Sequence, residues 1–204
     1  MDRRMLIATA AVIVLIAASL AVIYSDLTGS HYDYSVTSEG VEFLSNGMPP
    51  ADYISSFSEG DYFIVSPEFK GERAGQQMVD ALTLFSTVLR ANRKNVAIVA
   101  RVVDSAGNLT KCQTNRGDLK TSEEITSEEC AGMLSDAGYV VIYIGVPDAS
   151  LPNTRAVFSE GKIEIFPKEG SDAPHASLAV LKSMFGNAEE VISKSNDLFG
   201  RLTG

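Results

Sequence analysis

Residues Glu72–Val103 read ERAGQQMVDALTLFSTVLRANRKNVAIVARVV, a helical pattern that passes without pause into a strand. Met78, Leu82, Phe85 and Leu89 recur at +4, +3 and +4, with Ala74, Ala81 and Val88 widening the stripe. That is the 3.6-residue period of a helix with one buried face, and it predicts a helix over Glu72–Arg93. Arg90, Arg93 and Lys94 gather at its C-terminal end, where positive charge complements the macrodipole, and Asn95 supplies a stop. Val96–Val103, VAIVARVV, is rich in β-branched residues and predicts a strand bounded by a turn at Asp104–Asn108.

Two further runs match that strand. Tyr62–Val65 follows Gly60-Asp61 and stops at Ser66-Pro67; Tyr139–Ile144, YVVIYI, is closed by Gly145 and Pro147. Apolar on both alternating faces, these runs suit neighbouring sheet strands buried on both sides. Leu109–Gln113 is expected to return as a hairpin partner of Val96–Val103, and Thr154–Phe158 with Lys162–Phe166 to form a second hairpin about Glu160-Gly161. A short helix is expected within Glu123–Ala137, its start left open by two capping boxes, Thr121–Glu124 and Thr126–Glu129. Ala51–Phe57 reads as one or two helical turns. Helices close the chain near Pro174–Phe185, with Asp172 as cap, and near Ala188–Phe199, with Asn187 and Glu190 as a capping pair. Strand and helix alternate, so residues 41–204 predict an α/β fold: one small sandwich-like domain, a mixed sheet covered by helices.

Before this domain stand a membrane segment and a stalk. Met5–Tyr24, MLIATAAVIVLIAASLAVIY, holds no charge, Gly or Pro. As a helix it measures about 30 Å, the thickness of a bilayer's hydrocarbon core. Residues 1–24 therefore read as an N-terminal membrane anchor, partnered with the lipid bilayer through Met5–Tyr24. The competing reading is a cleaved signal, whose apolar region spans about 7–15 residues; Ser19-Leu20-Ala21 offers its small-x-small pattern. Arg3 and Arg4 precede the run while Asp26, Asp33 and Glu39 follow it, a bias that keeps the N-terminus cytoplasmic and exports the rest. Residues 25–40 form a polar stalk with room for an edge strand at Tyr32–Val36. Ala10, Ala17, Ala18 and Ala21 would permit close packing against another membrane helix.

Cys112 and Cys130 are the only cysteines, and in an exported domain their default state is a disulfide. The segment between them is nearly devoid of large apolar groups, which gives a covalent staple a physical purpose. Asn108-Leu109-Thr110 is a glycosylation sequon beside the expected turn.

Net charge is −9, which argues against a nucleic-acid partner, since phosphate neutralisation needs clustered Lys and Arg. No GxSxG elbow, P-loop, HExxH, EF-hand loop or GxGxxG is present, and there is no Trp. Only His31, in the stalk, and His175, at a helix start, offer an imidazole. One constellation carries chemistry. Were the three apolar strands parallel, Glu68, Asp104 and Asp148 would follow them on the edge where open α/β sheets bind ligands. Converging carboxylates there would make a metal site for Mg²⁺ or Ca²⁺, with Ser66 and Lys70 beside it; turn chemistry explains the same residues without a ligand. The acidic stretch Glu123, Glu124, Glu128 and Glu129 reads likewise as a helix start or as a docking face for a basic partner.

The sequence thus predicts a single-pass membrane protein with an extracytoplasmic α/β domain. Its expected role is binding, as an accessory subunit partnered with another protein of an envelope complex, and no cofactor is called for. The alternative is an envelope enzyme dependent on a ligand or divalent cation at the strand ends.

Overall fold

In the computed structural model, residues 32–71, 75–116 and 122–203 are described. The apolar run Met5–Tyr24 and residues 25–31 of the polar stalk, His31 among them, lie outside these; among the described residues no helix is long and apolar enough to cross a membrane. The domain comprises β1 (Tyr34–Ser38), β2 (Val41–Ser45), α1 (Pro50–Glu59), β3 (Tyr62–Lys70), α2 (Gln76–Ala91), β4 (Asn95–Val103) and β5 (Leu109–Arg116). There follow β6 (Glu123–Ile125), α3 (Ser127–Ser135), β7 (Val140–Ile144), β8 (Arg155–Ser159), β9 (Lys162–Phe166), α4 (Asp172–Met184) and α5 (Ala188–Thr203).

All nine strands join one mixed sheet in the order β1-β2-β8-β9-β7-β3-β4-β5-β6. The three apolar runs are its centre: β7, β3 and β4 are adjacent and parallel, with β9 parallel to β7 beyond them. Hairpins β1/β2, β8/β9 and β4/β5 are antiparallel. The domain therefore opens before residue 41, because Tyr34–Ser38, within the expected stalk, pairs with Val41–Ser45.

The helices divide between the faces unequally. Phe63, Val65, Ile142, Ile144, Phe158 and Ile165 share a core with residues of α1, α2, α4 and α5. Phe85, Leu89 and Leu181 from these helices are fully buried there, and truncating any of them to Ala would cost about 2–5 kcal/mol. Among the described residues the opposite face meets a single short helix, α3, whose Cys130, Met133 and Leu134 pack on Ile64, Val99, Cys112 and Val141.

Several element ends differ from the sequence reading for identifiable reasons. β3 runs through Ser66-Pro67 to Lys70; the ladder to β4 lapses at those two residues, where Pro67 has no N–H to give, while that to β7 continues. The α2 end is closed by Arg93 in a left-handed conformation, φ 60°, with Lys94 N–H donating to the Leu89 carbonyl at 2.9 Å. Of the two capping boxes the second starts α3: Glu129 N–H donates to Thr126 Oγ1 at 3.2 Å, and Thr126 N–H to Glu129 Oε2 at 2.9 Å. Glu123–Ile125 becomes the edge strand β6 instead, placing Ile125 opposite Cys112. Asp172 does not cap α4 through its own first turn; it accepts from Thr154 Oγ1 at 2.6 Å and from Glu169 N–H at 3.0 Å, joining the helix start to the β8 and β9 ends.

Candidate functional site

Strand alternation sends Ile142 and Ile144 to the helical core and Tyr143 to the other face, where α3 covers only the corner over Ile64, Val99, Val141 and Cys112. The same parity brings Glu68, Arg101, Tyr143, Lys162, Glu164, Phe166 and Arg155 together beside that corner. Among the described residues no helix packs over them.

These side chains form a continuous ladder of charge and aromatic rings. Arg101 Nη1 contacts Glu68 Oε2 at 3.2 Å, and its guanidinium carbon lies 5.5 Å from the Tyr143 ring centroid. Lys162 reaches the same ring at 5.8 Å and Glu164 at 2.7 Å. Tyr143 and Phe166 meet edge to face at 6.2 Å, and Arg155 lies over Phe166 at 5.3 Å. Such stacks are worth about 0.5–1 kcal/mol each when exposed and more when desolvated. Burial, then the hydrogen bonding and charge of the Glu68 carboxylate, holds the Tyr143 phenol well above its ordinary range, so it stays neutral.

Arg155 differs from its neighbours. Arg101 and Lys162 are each ion-paired within the face, whereas Arg155 has no ion pair among the described residues and its buried Nε lacks a hydrogen-bond partner. Ser66 Oγ, on the residue paired with Tyr143 in the β3–β7 register, is likewise fully buried and unpartnered. Unpaired buried donors cost about 1–3 kcal/mol, so this face carries unused hydrogen-bonding capacity.

The strand-end carboxylates occupy three separate settings. β3, β4 and β7 are parallel neighbours, so their C-terminal ends do share an edge. Glu68, however, lies on the open face with Arg101. Asp104 closes its own turn, accepting from Ala106 N–H at 2.8 Å, Asn108 N–H at 2.9 Å and Asn108 Nδ2 at 3.0 Å. Asp148 accepts from Ser150 N–H at 2.9 Å and Ser150 Oγ at 2.7 Å. These bonds, the side-chain one first in each, hold both aspartates below the usual carboxylate value. A cleft of about 220 Å³ opens at this edge beside Lys70, Gln77, Pro147 and Gly170, and of the three carboxylates only Glu68 borders it. Among the described residues no three His, Cys, Asp or Glu gather in a way that could hold a metal ion.

Cys112 and Cys130 are disulfide-bonded and buried, joining β5 to α3. Asn108 stands in the exposed β4–β5 turn. His175, exposed in the first turn of α4, places Nε2 2.6 Å from the Glu39 carbonyl and so ties the β1–β2 turn to the helical layer. Of the acidic stretch, Glu123 and Glu124 lie on β6, where Glu124 pairs with Lys111 at 2.9 Å, and Glu129 serves the α3 cap.

The sequence reading passed over the open face. The available signal was the single charged residue set inside an apolar strand: Arg101 in VAIVARVV and Glu164 in KIEIF each break a run at a position of one parity. No family model, curated protein or solved structure matches this chain.

Proposed function

We propose that this protein is a single-pass, membrane-anchored extracytoplasmic subunit that binds a protein partner in an envelope complex through the open face of its sheet. One observation carries the reading: a nine-stranded sheet has one face covered by four helices and leaves on the other an Arg101–Tyr143–Phe166–Arg155 ladder that no described helix covers. Arg and Tyr concentrate in the energetic centres of protein interfaces because they bury large surfaces while keeping hydrogen bonds. Arg155, whose buried Nε has no hydrogen-bond partner and which makes no ion pair among the described residues, is the anchor for an acidic group of the partner. The apolar run Met5–Tyr24 and the disulfide both suit an exported, membrane-tethered domain.

The test is purification of the full-length protein from its native membrane in mild detergent, with mass spectrometry of co-purifying chains. A stoichiometric partner is expected, retained by an Asp104→Ala variant and lost with Arg155→Ala/Phe166→Ala. A partner that survives the second pair of substitutions in a folded protein overturns the assignment of the face.

A further inference from the structure

The two edges of the sheet are protected very differently. β6 is three residues long and two of them are glutamates, a short, charged strand of the kind that resists pairing. β1, Tyr34-Ser35-Val36-Thr37-Ser38, has five exposed residues with no charge, no proline and no bulge in its pairing. Val36 is 55% exposed and Tyr34 38%. Beside them, on the helical side, an apolar groove of about 550 Å³ is bordered by Val36, Phe43, Pro49, Ile54 and Met184.

The hairpin geometry says which backbone groups are free. β1 and β2 are joined by the two-residue turn Glu39-Gly40, both at positive φ, and Ser38 opposes Val41. In such a hairpin the closing pair exchanges hydrogen bonds, as do alternate pairs beyond it. Val36 and Tyr34 therefore point their peptide groups at Phe43 and Ser45, while Ser35 and Thr37 turn theirs outward.

We infer that β1 pairs antiparallel with β1 of a second copy about a two-fold axis at Val36. In that register Ser35 faces Thr37 of the other copy on both sides of the axis, which uses every outward peptide group of the two residues. Val36 meets its own symmetry mate in a non-hydrogen-bonded pair, where side chains approach closest, beside the two grooves. The strand is uncharged in a chain of net charge −9, so this edge can meet an identical copy without the repulsion expected elsewhere. Asp33 and Glu39 oppose each other at the ends, but Asp33 accepts from Gly47 N–H at 2.9 Å and Glu39 is ion-paired with Lys182. Anchorage of both copies in one membrane, as proposed above, raises their effective concentration at this edge. The pairing does not depend on the open-face reading, and its failure would leave that reading untouched.

The test uses full-length protein in mild detergent. Light scattering coupled to size exclusion should give twice the chain mass for the wild type and half of that for Val36→Lys, which sets like charges directly opposite each other. Val36→Glu should also be monomeric, and mixing the two variants should restore the dimer. Because both native cysteines are bonded to each other, Val36→Cys adds one thiol and should cross-link on mild oxidation, whereas Val79→Cys on α2 should not. A monomeric wild type, or a dimer indifferent to Val36→Lys, overturns the inference. Circular dichroism checks that each variant is folded.

Discussion

Arg101 Nη1 stands 3.2 Å from Glu68 Oε2, across a register pair of the parallel β3–β4 ladder. The two side chains are only 27% and 16% exposed, so solvent screens them incompletely. Glu68→Ala leaves a half-buried guanidinium over Tyr143 without its acid, and the expected loss is about 1–3 kcal/mol. Adding Arg101→Ala should cost less than the sum of the single changes, by about 0.5–3 kcal/mol. Urea unfolding of the four proteins measures it, and strict additivity would show that the pair contributes nothing.

Asp104 makes stability depend on acid. Its hydrogen bonds from Asn108, Ala106 and Gly107 depress its folded value below the ordinary 3.8. A depressed carboxylate contributes its full stabilisation above the unfolded value and loses it as pH falls through the folded one. Asp104→Ala should therefore melt below the wild type at pH 7, and the gap should narrow steadily below about pH 3.8. A gap that is constant down to pH 2 would exclude the carboxylate as its source.

The Cys112–Cys130 bond spans 18 residues of sequence and lies in the smaller core. Chain entropy alone assigns such a closure about 3 kcal/mol. A maleimide should not label the unfolded, unreduced protein, and should add twice after reduction. Reduction should lower the urea midpoint, and the Cys112→Ala/Cys130→Ala variant should fall by a similar or larger amount because it also empties buried space.

At the start of α3, Thr126 both accepts from Glu129 N–H and offers its own N–H to the Glu129 carboxylate. Thr126→Ala should cost about 1 kcal/mol, within the 0.5–2 range for lost N-caps. Because α3 is, among the described residues, the one helix on its side of the sheet and carries Cys130, the variant should also speed reduction of the disulfide. Unchanged unfolding and reduction rates would count against both statements.

What the sequence displayed most clearly was periodicity. The α2 stripe, the three apolar strands and the paired cysteines were all legible because each depends on spacing or on residue type alone. Boundaries were less so where two local signals compete. Ser66-Pro67 looked like a stop, yet the β7 ladder carries β3 past it on the side that needs no Pro67 N–H. Thr121–Glu124 and Thr126–Glu129 were equivalent as caps, and Ile125 decided between them by packing beside Cys112. Least legible was the candidate site. YVVIYI does not say which face helices will cover, so Tyr143 could not be separated from Ile142 until the sheet order was known. The strand-end carboxylates were placed on the correct edge, but backbone and side-chain donors two to four residues away hold Asp104 and Asp148 within their own turns.

The strand order also fixes a timetable. The β1–β2 hairpin is the first part of the domain to leave a ribosome, yet its sheet neighbour is β8 and its turn is held by His175, 136 residues further along. Until the C-terminal third emerges, β2 has an open side and the Glu39 carbonyl has no imidazole. Central β7 likewise arrives after β3 and β4, and its other side stays open until β9 follows it. Pairings of such long range close slowly, so a nascent chain should remain protease-sensitive at the hairpin until β8, β9 and α4 have been delivered, and a stall before residue 155 should leave an adhesive, half-built sheet.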